Sequence, residues 1–304
     1  MIPSEEVMEP KAAEELASAL KRKIDGEVRF DSGSRALYAS DLSIYRQVPI
    51  GVVVPRTYED VIRTVALCRE FNAPIFGRGC GTSLAGQCCN TAVVIDFSKY
   101  LNKILEINPK RKYAWVEPGL ILDTLRDETE KHHLTVGPDP ATHEYCTLGG
   151  MIGNNSCGVH SVTAGRTEDN VEELDVLTYD GLRMTVGETS ESDLDSIIGK
   201  GGRRGEIYGK LKSIRDRYAD RIRERFPKIP RRVSGYNLPE LLLENGFQVA
   251  RALVGTESTC AIILRAKMKL VHSPQHRALI MVGFPNVFTA GDHAASFRDL
   301  GPIG

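Results

Sequence analysis

The order of apolar and helical segments predicts a domain of mixed helices and strands, of the α/β or α+β class. The first observation is a β-branched run at residues 52–54, followed by a helical pattern and two more short apolar runs. The second is composition: 41% of the 304 residues are hydrophobic and 26% are charged, as in an average soluble domain. The third is that no run of about 18 apolar residues occurs, so no membrane-spanning helix is predicted.

Charge and cysteine usage narrow the class of protein. The formal net charge is −1, from 39 basic and 40 acidic side chains, which does not indicate a nucleic-acid or membrane-surface binder. The cysteines include no C-x-x-C pair, so neither a zinc ribbon nor an iron–sulfur ligand set is visible, and no metal site is predicted. An odd cysteine count without a secretory signal indicates a reducing compartment, and the predicted location is the cytoplasm.

The individual elements follow from hydrophobic spacing along the chain. Leu16, Leu20 and Ile24 recur at helical intervals, and Gly26 ends that helix. Thr57, with acidic residues after it, is typical of a helix N-cap. Helices are predicted within residues 1–27, 57–72, 120–132, 208–226 and 287–297. Strands are predicted at residues 52–54, 73–76, 92–95, 103–107, 113–116, 171–179, 182–186, 261–271 and 278–282.

Two loops carry the candidate ligand chemistry. The first, residues 77–87, is rich in glycine, which lets the main chain adopt positive φ and approach a ligand closely. Successive backbone amides in such a loop form a concave nest that attracts an anion. Thr82 and Ser83 add hydroxyl donors, and Arg78 adds a positive charge. A phosphate or pyrophosphate is the expected ligand, and the alternative is a loop that is rich in glycine only because it turns tightly.

Known phosphate-loop patterns do not fit this first loop. The dinucleotide pattern G-x-G-x-x-G fails because Leu84 stands where the third glycine would be. The P-loop pattern is met by Gly81 and Gly86, but Gln87 and Cys88 replace its lysine and its hydroxyl residue. Because the point charge and the magnesium ligand are missing, a nucleotide triphosphatase is not expected.

The second loop, residues 137–165, contains small and amide residues at 147–158 that form neither a helix face nor a strand face. Such a backbone can approach a flat ligand with polar edges. Two loops of this kind in one chain predict a single extended ligand with a diphosphate and a ring system. The alternative for the second loop alone is a long surface connection.

An ordered set of motifs resembles a known family. In chain order they are R-G-C-G-T-S-L-A-G-Q (78–87), V-E-P-G (116–119), G-P-D (137–139), T-L-G-G (147–150), N-N-S (154–156), G-x-T-x-D-N-V (165–171) and G-T-E (255–257). Together they resemble the flavin-binding domain of the vanillyl-alcohol-oxidase or PCMH-type superfamily. Within it, the chain is similar to D-lactate dehydrogenases, to the flavin-binding chain of glycolate oxidases and to D-2-hydroxyglutarate dehydrogenases. The segment 34–46 resembles the long bacterial members that are fused to an iron–sulfur segment.

The resemblance implies an α+β fold in which two α+β subdomains hold FAD without a covalent bond. It implies an N-terminal helical arm at residues 1–47, the FAD-binding domain at 48–272, and the incomplete start of an α+β substrate or cap domain at 273–304. The residues it places at the pyrophosphate are Arg78, Gly79, Cys80, Gly81, Thr82, Ser83 and Gln87. Those it places along the rest of the cofactor are Pro138, Asp139, Thr147, Gly149, Gly150, Asn154, Ser156, Gly158, Gly255, Thr256, Glu257 and Ile262.

Some side chains near these motifs need separate interpretation. Cys80 stands where the family often has glycine. His160 is interpreted as a hydrogen-bonding or structural residue, because the hydroxy-acid branch generally does not tether its flavin through histidine. Cys157 is interpreted as an inert thiol. His132 and His133 are expected to complement the charge at a helix C-terminus.

The activity implied by the resemblance is oxidation of a D-2-hydroxy acid, such as D-lactate, glycolate or D-2-hydroxyglutarate, with FAD as the hydride acceptor. Electrons would pass to an iron–sulfur subunit or segment, a quinone or a cytochrome, and such a partner would also attach the protein to the periphery of the inner membrane. No nucleic-acid partner and no integral membrane segment are expected.

No catalytic base is assigned from the sequence. In the family, the base and the carboxylate-binding side chains belong to the cap domain, and this chain is expected to be an incomplete form. Two alternatives stay open. One is a non-catalytic flavin-binding subunit that needs a partner chain. The other is a different PCMH-type enzyme, an alcohol oxidase or a sugar-nucleotide reductase.

Overall fold

Two open sheets and one short ribbon organise the chain, of which the computed structural model describes residues 8–303. The helices are α1 (Pro10–Lys23), α2 (Ser32–Leu37), α3 (Tyr58–Glu70), α4 (Leu122–Glu130), α5 (Leu148–Asn154), α6 (Ser161–Ala164), α7 (Glu191–Lys200), α8 (Gly202–Arg225), α9 (Val249–Leu253) and α10 (Val287–Arg298). The strands are β1 (Glu27–Arg29), β2 (Gly51–Val54), β3 (Ile75–Arg78), β4 (Val93–Asp96), β5 (Ile104–Asn108), β6 (Tyr113–Val116), β7 (Leu134–Thr135), β8 (Val171–Leu177), β9 (Arg183–Val186), β10 (Ile262–Lys269) and β11 (Val271–His272).

The first sheet has the strand order β1-β2-β4-β3. β2, β4 and β3 run parallel, and β1 joins the edge in the antiparallel direction. Every residue of β2 and β4 is buried, which explains why residues 52–54 and 93–95 are continuously apolar rather than alternating. The N-cap predicted at Thr57 is confirmed, because its hydroxyl and the Asp60 carboxylate form a reciprocal capping box.

The second sheet has the order β5-β6-β10-β8-β9 and is antiparallel throughout. The strands predicted at residues 171–179 and 182–186 are confirmed as β8 and β9, which form a hairpin with Gly181 at its turn at φ +92°. One mixed sheet, parallel except at its β1 edge, and one antiparallel sheet with helices beside them make an α+β fold, as predicted.

The helix predicted within residues 1–27 is confirmed as α1, although the first seven residues of the chain lie outside its described part. Leu16 and Leu20 are fully buried against the first sheet. Within residues 8–303, no helix combines the length and apolar character needed to cross a membrane.

The expectation that residues 147–158 form no helix is wrong, because α5 occupies the first part of that segment. The Thr147 hydroxyl accepts a hydrogen bond from the Gly150 amide and caps the helix. Leu148, Met151 and Ile152 are buried in the main core at helical spacing, and this burial offsets the poor helix propensity of the glycines.

Two further predictions differ from the structure. Residues 278–282 form no strand, and Leu279, Ile280 and Met281 are 89%, 81% and 89% exposed. An apolar β-branched run becomes a strand only when another strand pairs with it, and none does among residues 8–303. The basic helix begins at Gly202 rather than residue 208, and α7 before it was not predicted.

We expect Leu148→Ala to lower the free energy of unfolding by about 2–5 kcal/mol, because it opens a cavity in the main core beside the cap of α5. Leu279→Ala removes the same atoms from an 89% exposed side chain and should change it by less than about 0.5 kcal/mol. Urea titration of both variants measures this difference. Equal effects would show that α5 is not anchored by its buried face.

Glu27 on β1 should make stability depend on pH in the acid range. The Lys99 ammonium, the Tyr100 hydroxyl and the Arg29 guanidinium lower the pKa of this carboxyl from 4.5 to about 2. Because the folded-state pKa is depressed, the stabilisation is present above pH 4.5 and is lost as the pH falls towards 2. Glu27→Gln should therefore be less stable than the parent at neutral pH and as stable as the parent near pH 2. Urea titrations at several pH values across this range measure the difference. A stability difference that does not change with pH would contradict this assignment.

Candidate functional site

A cleft lies where the first loop, α5 and the turn before β10 meet. The first loop leaves the end of β3, and residues 255–258 form the turn. The predicted residues that line this cleft are Arg78, Gly79, Ser83, Gln87, Thr147, Gly149, Gly150, Asn154, Thr256, Glu257 and Ile262. The fold thus brings parts of both glycine-rich loops to one place.

Other predicted residues lie outside the wall of the cleft. They are Cys80, Gly81, Thr82, Pro138, Asp139, Ser156, Gly158 and Gly255. Both carboxylate oxygens of Asp139 face His160, at 2.9 Å from its backbone nitrogen and 2.5 Å from its Nδ1. Gly255 lies behind α5, where its amide donates to the carbonyl of Ile152 at 2.8 Å.

Part of the wall was not predicted from the sequence. These residues are Phe76, Gly77, Cys88, Phe97, Pro118, Gly153, Val176, Leu253, Ser258, Ala261 and Ile263. Most belong to strands or turns whose orientation depends on the packing of the two sheets. Gly153 did leave a signal, because it follows Gly150 by about one helical turn and therefore shares its face of α5.

The first loop presents backbone amides that have no backbone acceptor. Among residues 8–303, no carbonyl of the main chain accepts a hydrogen bond from the amides of residues 79–84, and the Ser83 amide is directed at the Cys88 sulfur. Further along, Ala85 donates to Gln87 Oε1 at 3.1 Å and Cys88 to Asp41 Oδ2 at 3.2 Å. Gly81 has φ +74°, which L side chains rarely adopt. A curved run of amides of this kind attracts an anion.

The Arg78 guanidinium binds main-chain carbonyls in and near the first loop. From the sequence it was expected to contribute positive charge for binding a phosphate. It donates to the carbonyls of Tyr38, Ser40 and Cys88 at 3.1, 2.8 and 3.2 Å. The whole residue is only 8% exposed. Three carbonyl acceptors satisfy this buried cation, so it holds the loop against the N-terminal arm.

The first loop and α5 touch directly. A Cβ on Gly79 would lie 2.0 Å from Thr147 Oγ1, so only glycine allows this approach. Beside it, Asn154 Nδ2 donates to Ser83 Oγ at 3.2 Å. The contact joins the two segments that the sequence predicts to share one ligand.

The start of α5 is not itself an anion site. The Gly149 amide donates to the Pro118 carbonyl at 2.8 Å, and the Gly150 amide donates to Thr147 Oγ1 at 3.3 Å. The glycines contribute space instead: a Cβ on Gly150 would meet only Thr147 Oγ1, and one on Gly153 would meet nothing within 4 Å. This open face lets a flat group approach the helix backbone.

Few ionisable side chains line the cleft. Burial raises the pKa of the Glu257 carboxyl, while a hydrogen bond from Gln87 acts in the opposite direction. Burial also raises the pKa of the Cys88 thiol, whose Sγ is 3.2 Å from Ser83 Oγ. Glu257 and Ser258 both adopt left-handed backbone, with φ 49° and 64°, a strained conformation that is concentrated at ligand sites.

The residues that the structure describes form no candidate metal centre. Among residues 8–303, no group of three or more histidine, cysteine, aspartate or glutamate side chains is placed to hold an ion. His132 and His133 follow the end of α4, and His133 closes it with φ 55°.

Comparison with protein families matches residues 49–187 to a family described as FAD binding domain. D-2-hydroxyglutarate dehydrogenase of Pseudomonas putida (strain KT2440) is 31% identical over 269 residues, 87% of this chain and 27% of that protein. The enzyme of the same name from Escherichia coli (strain K12) is 30% identical over 87% of this chain and 26% of its own length. The glycolate oxidase protein GlcD of Bacillus subtilis is 30% identical over 88% of this chain and 47% of its own length.

The chain therefore spans about a quarter of the length of the D-2-hydroxyglutarate dehydrogenases it matches. Among solved structures, an alkyldihydroxyacetonephosphate synthase superposes with a TM-score of 0.58 at 21% identity. That superposition covers 91% of this chain and 42% of the synthase. This likeness shows a common fold.

Proposed function

We propose that this chain, whose residues 49–187 match a FAD binding domain, holds FAD without a covalent bond in the cleft between the first loop and α5. Amides of the first loop would hold the diphosphate, with Gly79 and Ser83 at the wall of the cleft, and the open face of Gly150 and Gly153 would lie against the rest of the cofactor. When bound, FAD supplies a two-electron acceptor for a hydride.

The run of amides without a backbone acceptor at residues 79–84 is the observation that carries this proposal. Backbone donors without a partner are costly when water is excluded, so such a run calls for an anionic ligand. Arg78 binds the carbonyls around the loop, which leaves the donors as the groups that face a guest. Because Arg78 binds the carbonyls and leaves the amides without a backbone acceptor, we favour a loop that binds a diphosphate over a loop that is rich in glycine only because it turns tightly.

The wall of the cleft supports non-covalent binding. Among the described residues, no histidine lines it, and His160 is engaged with Asp139 outside it. The Cys88 thiol lies against Ser83, and its raised pKa keeps it protonated and poorly nucleophilic. No lining side chain is thus an activated nucleophile for a flavin.

The activity we propose for the whole protein is oxidation of a D-2-hydroxy acid, such as D-2-hydroxyglutarate, glycolate or D-lactate. The support is the names of relatives about 30% identical over most of this chain. We propose an iron–sulfur subunit or segment, a quinone or a cytochrome as electron acceptor, and a cytoplasmic location, with attachment to the inner membrane periphery through that acceptor.

We propose the domain organisation that the sequence predicts, with an arm at 1–47, the FAD-binding domain at 48–272 and a cap domain beginning at 273. The exposure of Leu279, Ile280 and Met281 supports the last part, because a contiguous apolar patch of this kind is usually covered by other protein.

We expect Gly153→Leu to weaken FAD binding by at least about tenfold, because its side chain enters the open face of α5. Gly209→Leu is the matched control: Gly209 is also helical, and a Cβ there also meets nothing within 4 Å, but it lies in α8 away from the cleft. Equilibrium titration of each apoprotein with FAD, followed by flavin fluorescence, measures the dissociation constants.

Both leucines should raise helix propensity, so neither variant should be less stable than the parent. If Gly153→Leu binds FAD as tightly as the parent, the cofactor does not lie against α5.

Acid precipitation of the FAD-loaded parent should release all its flavin into the supernatant. Flavin that stays with the precipitated protein would disprove non-covalent binding.

Substrate oxidation is tested with the flavin-loaded protein and an artificial dye acceptor. We expect dye reduction with at least one of D-2-hydroxyglutarate, glycolate and D-lactate. A yellow protein that is inert towards all three would favour the flavin-binding subunit without its own activity. Flavin reduction by NADPH instead would indicate a sugar-nucleotide reductase.

A further inference from the structure

We propose that the buried carboxylate of Glu168, acting through Asn155, is a positioning element for the wall of the FAD cleft. Neither residue lines the cleft, so the role is indirect. The inference rests on the proposed function, because the wall it positions is the one assigned to FAD. Its basis is a polar cluster directly behind α5.

Glu168 is fully buried, and its carboxylate is shared between two kinds of partner. Asn155 Nδ2 donates to Glu168 Oε2 at 2.7 Å, and the Glu168 amide donates to Asn155 Oδ1 at 3.1 Å. On the other side, the Arg166 guanidinium contacts Oε1, and Arg232 lies 3.7 Å from it. Removing one partner from such a cluster leaves a buried charge without compensation, which strongly destabilises the fold. The positions of these side chains are therefore strongly constrained.

Asn155 is the residue that ends α5. It is fully buried and adopts φ 52° and ψ 51°, the left-handed conformation that closes a helix. Glycine takes this conformation more easily, yet here an asparagine side chain is used to reach Glu168. The paired hydrogen bonds with Glu168 thus fix where α5 stops.

The end of α5 in turn holds the strained turn at the cleft. The Gly255 amide donates to the Ile152 carbonyl at 2.8 Å, and the Glu257 amide donates to the Gly153 carbonyl at 3.1 Å. Thr256, Glu257 and Ser258 of this turn line the cleft. A shift in the last turn of α5 would therefore move both the part of the cleft wall on α5 and the part formed by residues 256–258.

The arginines tie the same carboxylate to the opposite side of this turn. Arg232 Nη1 donates to Asn237 Oδ1 at 3.2 Å, and Asn237 Nδ2 donates to the Val254 carbonyl at 2.8 Å. Arg166 donates to the Arg232 carbonyl. Glu168 is thus the point at which the end of α5, the segment around Arg232 and the approach to Gly255 converge.

The first test removes the link but keeps the backbone conformation. Asn155→Gly should raise the FAD dissociation constant at least about tenfold and alter the band shape of the bound flavin spectrum. Asn72→Gly is the matched control, because Asn72 directly follows the C-cap of α3 at a similar φ of 53° but is exposed. The control should bind FAD like the parent.

The second test exchanges the polarity of the pair. Asn155→Asp alone places two carboxylates together and should bind FAD poorly or fail to fold. Asn155→Asp combined with Glu168→Gln restores a donor and an acceptor between the two side chains and keeps one carboxylate in the cluster, and should bind FAD within about threefold of the parent. This rescue separates positioning from a general loss of stability.

If Asn155→Gly binds FAD as tightly as the parent, or the exchanged pair fails to recover binding, the inference is wrong while the proposed function stands. If the parent itself binds no FAD, the proposed function fails and the inference fails with it. Urea titrations of the apoproteins show whether each variant is folded under the assay conditions.

Discussion

The close approach of the first loop to the start of α5 is the constraint on which the site depends. At Gly79 the loop is so near the start of α5 that a methyl group would lie 2.0 Å from Thr147 Oγ1. Only glycine therefore fits at this position, and beside it the side chains of Asn154 and Ser83 join the two segments. A loop held in this way presents its amides at fixed positions, so a ligand that accepts hydrogen bonds finds them preorganised.

The protein holds this loop mainly through its carbonyls and neighbouring side chains. Arg78 donates to three carbonyls, and Asp41 accepts from the Cys88 amide. Nearby, Tyr38 donates to Asp96 at 2.5 Å and fixes the arm against the end of the first sheet. The acceptors around the loop are thus used internally, while the amides of residues 79–84 have no backbone acceptor. This asymmetry is the basis for proposing an anionic ligand at the first loop.

The same cleft accounts for cofactor binding better than for catalysis. Glu257 is its one carboxyl among the described residues, and Arg78 is committed to the loop. Binding a substrate carboxylate and removing a hydroxyl proton require a positioned cation and a base.

The sequence by itself determined the elements that depend on short-range patterns. The buried strands at β2 and β4, the capping box at Thr57 and the turn at Gly181 could be predicted because periodicity, capping and turn chemistry act within a few residues. Only the tertiary structure decided that residues 148–154 form a helix, that residues 278–282 form no strand and that Arg78 faces carbonyls. In each case the outcome depends on a partner distant in sequence: a core that buries Leu148, a strand that is missing, or an arm that supplies acceptors. Glu168 left no signal for the same reason, since its role arises from residues that only the fold brings around it.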